Sequence, residues 1–180
     1  MMKNMAHRIC LSAAGAALFV ALSFCLQVPV WENYTLCLGY AVMAVWCWCF
    51  GPFAGTVTGV LGVILYCLLI NGLRGMPGWA LGNLVIGPVL GFTFRRTAGL
   101  RRPVLATVIN ALAVVFSVTA GILGVKSLTE HLLYTQPFAV RAGKNFAAWA
   151  ADVFVLLVSL PLCAALDRIW NKRKGKTIHE

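Results

Sequence analysis

Asp152 carries chemistry where the surrounding sequence offers none. It lies about six residues into an apolar run that begins at Phe146, roughly 9 Å along a helix at 1.5 Å per residue. An ionisable side chain at such depth is costly in lipid, so it faces a polar cavity or pairs with an opposite charge. Lys144 and Arg141 lie near the same end, and an ion pair with either would also serve as the wall of a cavity. Asn83 stands one turn after Trp79, and Asn145 and Trp149 are one turn apart as well. Each pair therefore shares a helix face. With Trp31 and Tyr34 they supply stacking surfaces and orienting hydrogen bonds, the usual mixture in a small-molecule pocket. An aromatic belt at the lipid–water boundary draws on the same tryptophans, and the spacing leaves both readings open.

Other chemistries lack their parts. Lys174-Gly175-Lys176-Thr177 imitates the end of a phosphate-binding loop, but Trp170 stands where the pattern needs its first glycine. His7, His131 and His179 are the only histidines, and they fall on opposite sides of the expected topology, so no metal site is expected. Serine-protease, zinc-protease and thiol-redox signatures are absent, and the five carboxylates are scattered. Neither a catalytic set nor a cofactor is expected, and the chain reads as a non-enzyme. Seven cysteines lie in or beside apolar segments, where thiols act as small packing residues. Cys47-Trp48-Cys49 lacks the two-residue spacer of a redox pair.

The elements that must position these residues are membrane helices. A chain that is 61% hydrophobic and 11% charged has lipid as its solvent. Spans of the length a bilayer requires are expected at 9–28, 104–125 and 146–167, and shorter or glycine-rich ones at 35–50, 53–71 and 79–94. The reading is an all-α integral membrane protein, a single domain over 1–180 built as a six-transmembrane-helix bundle. Residues 126–145 form its long outer loop and 168–180 a basic tail. Within that loop Ser127-Leu128-Thr129-Glu130 fits a capping box for a short helix that Pro137 stops. Lys3, His7 and Arg8 before the first run imitate a secretion signal, but Phe24 is too large before Cys25 for a cleavage box.

Eleven of the fifteen basic residues fall before span one, between spans four and five, or after span six. Only Arg74, Lys126, Arg141 and Lys144 fall on the other side, so the positive-inside bias places both termini in the cytoplasm. The formal net charge of +10 is then a matter of topology and anionic headgroups, not of nucleic-acid binding. The outer side leans cationic, which favours an anionic or zwitterionic compound.

Small residues recur every four positions: Ala13, Ala17 and Ala21, then Gly51, Gly55 and Gly59, then Gly78 with Gly82 and Gly87 with Gly91. In lipid such rows let backbones approach one another. The glycines read as packing within the bundle. The alanines form a smooth face, for a helix of this chain or for another protein.

These features in combination resemble the substrate-binding S components of energy-coupling factor (ECF) vitamin transporters, over nearly the whole chain. The likeness rests on six spans with cytoplasmic ends, the alanine row, the stretch FGPFAGTVTGVLG (Phe50 to Gly62) and the stretch MPGWALGNLVIGPVLG (Met76 to Gly91). The resemblance implies a multi-pass protein of the bacterial plasma membrane that binds a vitamin or related micronutrient from outside. A separate T subunit with two ATPase subunits would drive it to topple and release substrate inward. Ala13, Ala17 and Ala21, with Ser12 and Ala16 beside them, would receive the T subunit. Trp31 and Tyr34 would be lid aromatics, with 126–145 closing over the site. Trp79 and Trp149 would stack on a planar heterocycle, Asn83 and Asn145 would read its amides, and Asp152 with Arg141 or Lys144 would orient it. Two rivals stay open: a stand-alone secondary transporter using Asp152 as an ion site, and a structural membrane protein that binds no small molecule.

Overall fold

The computed structural model describes residues 2–25, 29–31, 34–35, 37–100 and 102–176, with side chains described over 9–25, 37–70, 72–73, 75–100 and 102–166. The chain begins with α1 (Met2–Cys25). A short antiparallel hairpin follows, β1 (Pro29–Trp31) with β2 (Tyr34–Thr35). Helices α2 (Gly39–Phe50) and α3 (Pro52–Tyr66) meet at Gly51, and α3 runs on into a π-helical turn at Cys67–Asn71. A 3-10 turn at Leu73–Gly75 leads into α4 (Met76–Thr97). Then come α5 (Pro103–Val118), a π-helical stretch at Thr119–Lys126, α6 (Ser127–Tyr134) and the long α7 (Phe138–Lys176).

Four helical stretches among the described residues are long and apolar enough to cross a membrane: Pro52–Ile70, Met76–Thr97, Pro103–Tyr134 and Phe138–Leu166. Ile9–Cys25 and Gly39–Cys49 are shorter apolar helices. Large apolar side chains cover the outer surface, among them Phe53, Leu69, Val104 and Phe116, each more than two-thirds exposed. That surface suits hydrocarbon rather than water. The protein is a multi-pass protein of the cell membrane.

The segment 126–145 differs from the sequence reading. Residues 126–145 are helical except at Thr135–Pro137, because α5 continues through its π stretch into α6 and α7 starts at Phe138. The expected capping box is not used. Ser127 follows Lys126 inside a continuous helix, with no side-chain cap, and its hydroxyl donates to the Ile122 carbonyl at 3.2 Å. The break comes at Thr135, the one described non-glycine residue with positive φ (52°). Pro137 then initiates α7, its carbonyl accepting from the amides of Val140 and Arg141.

Glycines set the spacing of the bundle. A Cβ on Gly55 would meet Cys47 of α2, one on Gly87 would meet Thr56 of α3, and one on Gly82 would lie 2.8 Å from the Gly121 carbonyl oxygen. The glycine face of α3 is therefore spent on α2, and that of α4 on α3 and on the π stretch after α5. On α1 the residues Ser12, Ala16, Phe19 and Ser23 recur at helical spacing and are buried, with Phe19 edge-on to Tyr40 at 6.0 Å. Ala13, Ala17 and Ala21 lie on the other face and are exposed. Ser12 and Ala16, grouped with them on sequence, belong instead to the internal face. Cys37, Cys47, Cys67 and Cys163 are buried side chains of the core.

Because both partners at Gly82 are backbone, Gly82→Val has nowhere to yield and should cost about 1–3 kcal/mol of stability. Gly99→Ala, where a Cβ meets nothing within 4 Å, should leave thermal unfolding in detergent unchanged. Equal unfolding temperatures for the two variants would contradict the close approach of α4 to the π stretch.

Candidate substrate-binding site

Tyr40, in the first turn of α2, is wholly buried and holds the centre of a polar cluster. Its hydroxyl donates to Asn83 Oδ1 at 2.8 Å and accepts from Trp79 Nε1 at 2.8 Å. Asn83 Nδ2 in turn donates to the Gly59 carbonyl at 3.0 Å. That carbonyl fixes which way the amide points, since only the NH2 end can face it. Trp79 and Asn83 reach Tyr40 together because they are one turn apart on α4. The tie joins α2, α3 and α4, and the Asp152 carboxyl of α7 neighbours the same phenol.

Lys126 closes the arrangement. It ends the π stretch, is 8% exposed, and its ammonium lies 5.6 Å from the centre of the Trp79 ring. Asp152 and Glu130 are both within its electrostatic reach. A π turn widens the helix and re-aims the residues that follow it, a distortion frequent at functional sites. Here it brings an ammonium over an indole face, a favourable contact where water is scarce. Tyr66 meets the same indole edge-on at 6.0 Å.

A second set of bonds ties α6 to α7. Asn145 Nδ2 donates to Glu130 Oε2 and to Ser127 Oγ, both at 3.0 Å. Arg141 lies 3.8 Å from the same Glu130 oxygen, with its guanidinium 5.2 Å from the centre of the Tyr134 ring. Two cations, Lys126 and Arg141, thus face two carboxylates, Glu130 and Asp152. Within the cluster the charges formally balance, alongside an indole, a phenol and two amides. Such a site can stack a flat ring and read both donors and acceptors on its rim.

Of the residues singled out on sequence, Trp79, Asn83, Asp152, Asn145 and Arg141 converge at this end of the bundle. Asn83, Asn145 and Asp152 are each less than 5% exposed. The expected ion pair changes partners: Arg141 pairs with Glu130, Lys144 is exposed and stands apart, and Asp152 faces Lys126 and Tyr40. Trp149 turns toward the flank of the bundle, where its indole donates to Thr119 Oγ1 at 3.0 Å and its ring stacks on the exposed Phe146 at 5.1 Å. Trp31 and Tyr34 fall in the two strands, and their side chains lie outside the described residues. Sequence reasoning missed Tyr40, Lys126 and Glu130. Lys126 leaves a trace as a charge at the end of an apolar run, and Glu130 as a member of the capping-box pattern, whereas Tyr40 leaves none. Among the described residues no group of three His, Cys, Asp or Glu could hold a metal.

Comparison with known proteins adds the family context. The model described as ECF-type riboflavin transporter, S component, matches residues 3–168. A UPF0397 protein of Lactococcus lactis subsp. cremoris (strain NZ9000) is 36% identical over 99 residues, 53% of each chain. The match therefore spans about half the length of that relative. A UPF0397 protein of Streptococcus thermophilus (strain ATCC BAA-491 / LMD-9) is 24% identical over 169 residues, 92% of each chain.

Removing the Tyr40 hydroxyl leaves the Trp79 N–H and Asn83 Oδ1 buried without their partner. Tyr40→Phe should therefore lower stability by about 1–3 kcal/mol. Lys144→Gln should leave thermal unfolding in detergent as it was. A Tyr40→Phe protein as stable as the wild type would mean that the phenol does not organise the cluster.

Proposed function

The chain belongs to the family of ECF-type riboflavin transporter S components, and from that premise we propose that it is the substrate-binding subunit for a vitamin or related micronutrient. The ligand is a planar heterocycle, with a flavin as the first compound to test given the family's description. It occupies the end of the bundle where Trp79, Lys126 and Asp152 meet. The observation that carries this reading is the burial of Lys126 and Asp152 beside the Tyr40–Trp79–Asn83 tie. Polar groups gathered at such expense within a membrane bundle belong to a substrate path more often than to packing.

In this reading six spans cross the membrane with both termini in the cytoplasm, so the cluster opens outward. Trp79 supplies the stacking face, Asn83 and Asn145 hold the amide framework, and Asp152 with Lys126 orients polar groups of the ligand. Arg141 closes the rim through Glu130. Trp31 and Tyr34 cover the ligand from the first outer connection, and the α6–α7 hairpin covers it from the other side. Trp149 and Lys144 act at the periphery. Energy comes from a T subunit and two ATPase subunits, which dock on Ala13, Ala17 and Ala21. The exposure of all three supports that role. A row of methyl groups meets lipid without leaving a polar group unpaired and lets a partner backbone approach closely.

A thermal-shift screen of the purified protein against water-soluble vitamins tests the proposal. A ligand present at 100 times its dissociation constant should add about 2.7 kcal/mol of apparent stability, and Trp79→Ala should lose that shift. Ala17→Trp should keep the shift yet fail to co-purify with the T and ATPase subunits. A shift retained in full by Trp79→Ala would refute the site, and co-purification of Ala17→Trp would refute the docking face.

A further inference from the structure

A cavity of about 430 Å³ lies at the opposite end of the bundle from the Trp79–Asp152 cluster. Ser12 of α1, Phe50 at the end of α2, Pro52, Phe53 and Ala54 of α3, and Arg95 of α4 line it. Three features of its wall point to the same ligand chemistry. The first is the start of α3. Gly51 precedes it without a side-chain cap, Pro52 has no N–H to offer, and the first intrahelical bond is made by the amide of Gly55 to the Gly51 carbonyl. The amides of Phe53 and Ala54 are thus left at the positive end of a helix, where anions bind.

The second feature is the Arg95 guanidinium. It occupies the space that a Cβ on Gly51 would fill, and Gly51 itself has φ +93°, a conformation costly for any other residue. Glycine at this position therefore makes room for the guanidinium beside the free amides. Among the described residues Arg95 has neither a hydrogen bond nor an ion pair, and the two carboxylates with described side chains, Glu130 and Asp152, are both at the other end. The third feature is Ser12. It is 5% exposed, faces the cavity, and makes no hydrogen bond among the described residues. A hydroxyl that can donate, a planar cation and uncapped amides together supply the donors that a phosphate takes.

We propose that this cavity binds the phosphate of an anionic phospholipid from the membrane face at that end. A lipid is favoured over a soluble phosphate ester because two of the lining residues, Phe50 and Phe53, are exposed apolar side chains that acyl chains can cover. Arg95 grips the phosphate through its fork, Ser12 and the α3 amides hold the remaining oxygens, and the chains run down the outer surface of α3 and α4.

Native mass spectrometry of the full chain, released from detergent containing equal phosphatidylglycerol and phosphatidylcholine, tests the proposal. The wild type should retain phosphatidylglycerol over phosphatidylcholine by about fivefold or more. Arg95→Gln should abolish that preference, and Arg95→Lys should restore only part of it, since an ammonium lacks the bidentate fork. Ser12→Val, which keeps every charge, should weaken it, whereas Arg102→Gln, an exposed arginine that does not line the cavity, should leave it intact. An equal loss in Arg95→Gln and Arg102→Gln would reduce the effect to general surface charge and overturn the proposal. Displacement of the lipid by millimolar glycerol phosphate would assign the site to a soluble ester and overturn it as well. So would a lipid ratio unchanged by Arg95→Gln in a variant that no longer co-purifies with the T subunit, since the guanidinium would then serve a protein partner.

Discussion

The bonds of Tyr40 govern the rest of the architecture. In hydrocarbon a phenol, an amide, an indole N–H, a carboxyl and an ammonium cannot turn to water, so each must find a partner inside the protein. Tyr40 accepts from Trp79, donates to Asn83 and neighbours Asp152. The start of α2, the first half of α4 and the middle of α7 therefore have to meet at one point. Asn83 adds α3 through the Gly59 carbonyl, and Lys126 adds the π stretch through the Trp79 face. Glycine at 55, 82 and 87 is what allows the backbones to come close enough for these short side chains to reach one another.

The two ends of the bundle consequently carry different chemistry. One end concentrates buried groups of both charges, tied by directional bonds that join α6 to α7. The other carries exposed arginines and the uncapped start of α3. Between them the surface is apolar, and on α1 it narrows to methyl groups at Ala13, Ala17 and Ala21. A molecule built this way can hold a ligand rigidly at one end while its flank stays smooth. That division suits a subunit whose binding chemistry and mechanical contacts lie on separate surfaces.

Much of this was legible in the sequence, and the rest was hidden for identifiable reasons. Asp152 and Asn83 stood out because a polar residue within an apolar run needs a partner, whatever the fold. Four-residue spacing puts Ala13, Ala17 and Ala21 on one face but does not say whether that face turns outward, nor does it place Ser12 and Ala16. Their burial depends on Phe19, which turns that side of α1 toward Gly39 and Gly62. Tyr40 was missed because an aromatic near a span end is equally at home in an interfacial belt. On sequence Lys126 reads as a loop residue, because the π stretch that carries the helix past it has no signature comparable to a proline or a cap. The same continuity turned the capping-box residues Ser127 and Glu130 into partners for Asn145. Trp149 was misleading in the opposite sense, since its one-turn spacing from Asn145 suggested a shared pocket, whereas its indole is engaged by Thr119 on the flank.

The central claim is that the buried carboxyl of Asp152 belongs to a ligand site and not merely to packing. Calorimetric titration of the tightest-binding vitamin into the protein in lipid nanodiscs, wild type against Asp152→Asn, tests it most directly, because asparagine keeps the shape and removes the charge. The account predicts one site per chain and an affinity at least about tenfold weaker in the variant, a difference of about 1.4 kcal/mol, with the fold intact by circular dichroism. Identical affinities in two equally folded proteins would contradict it.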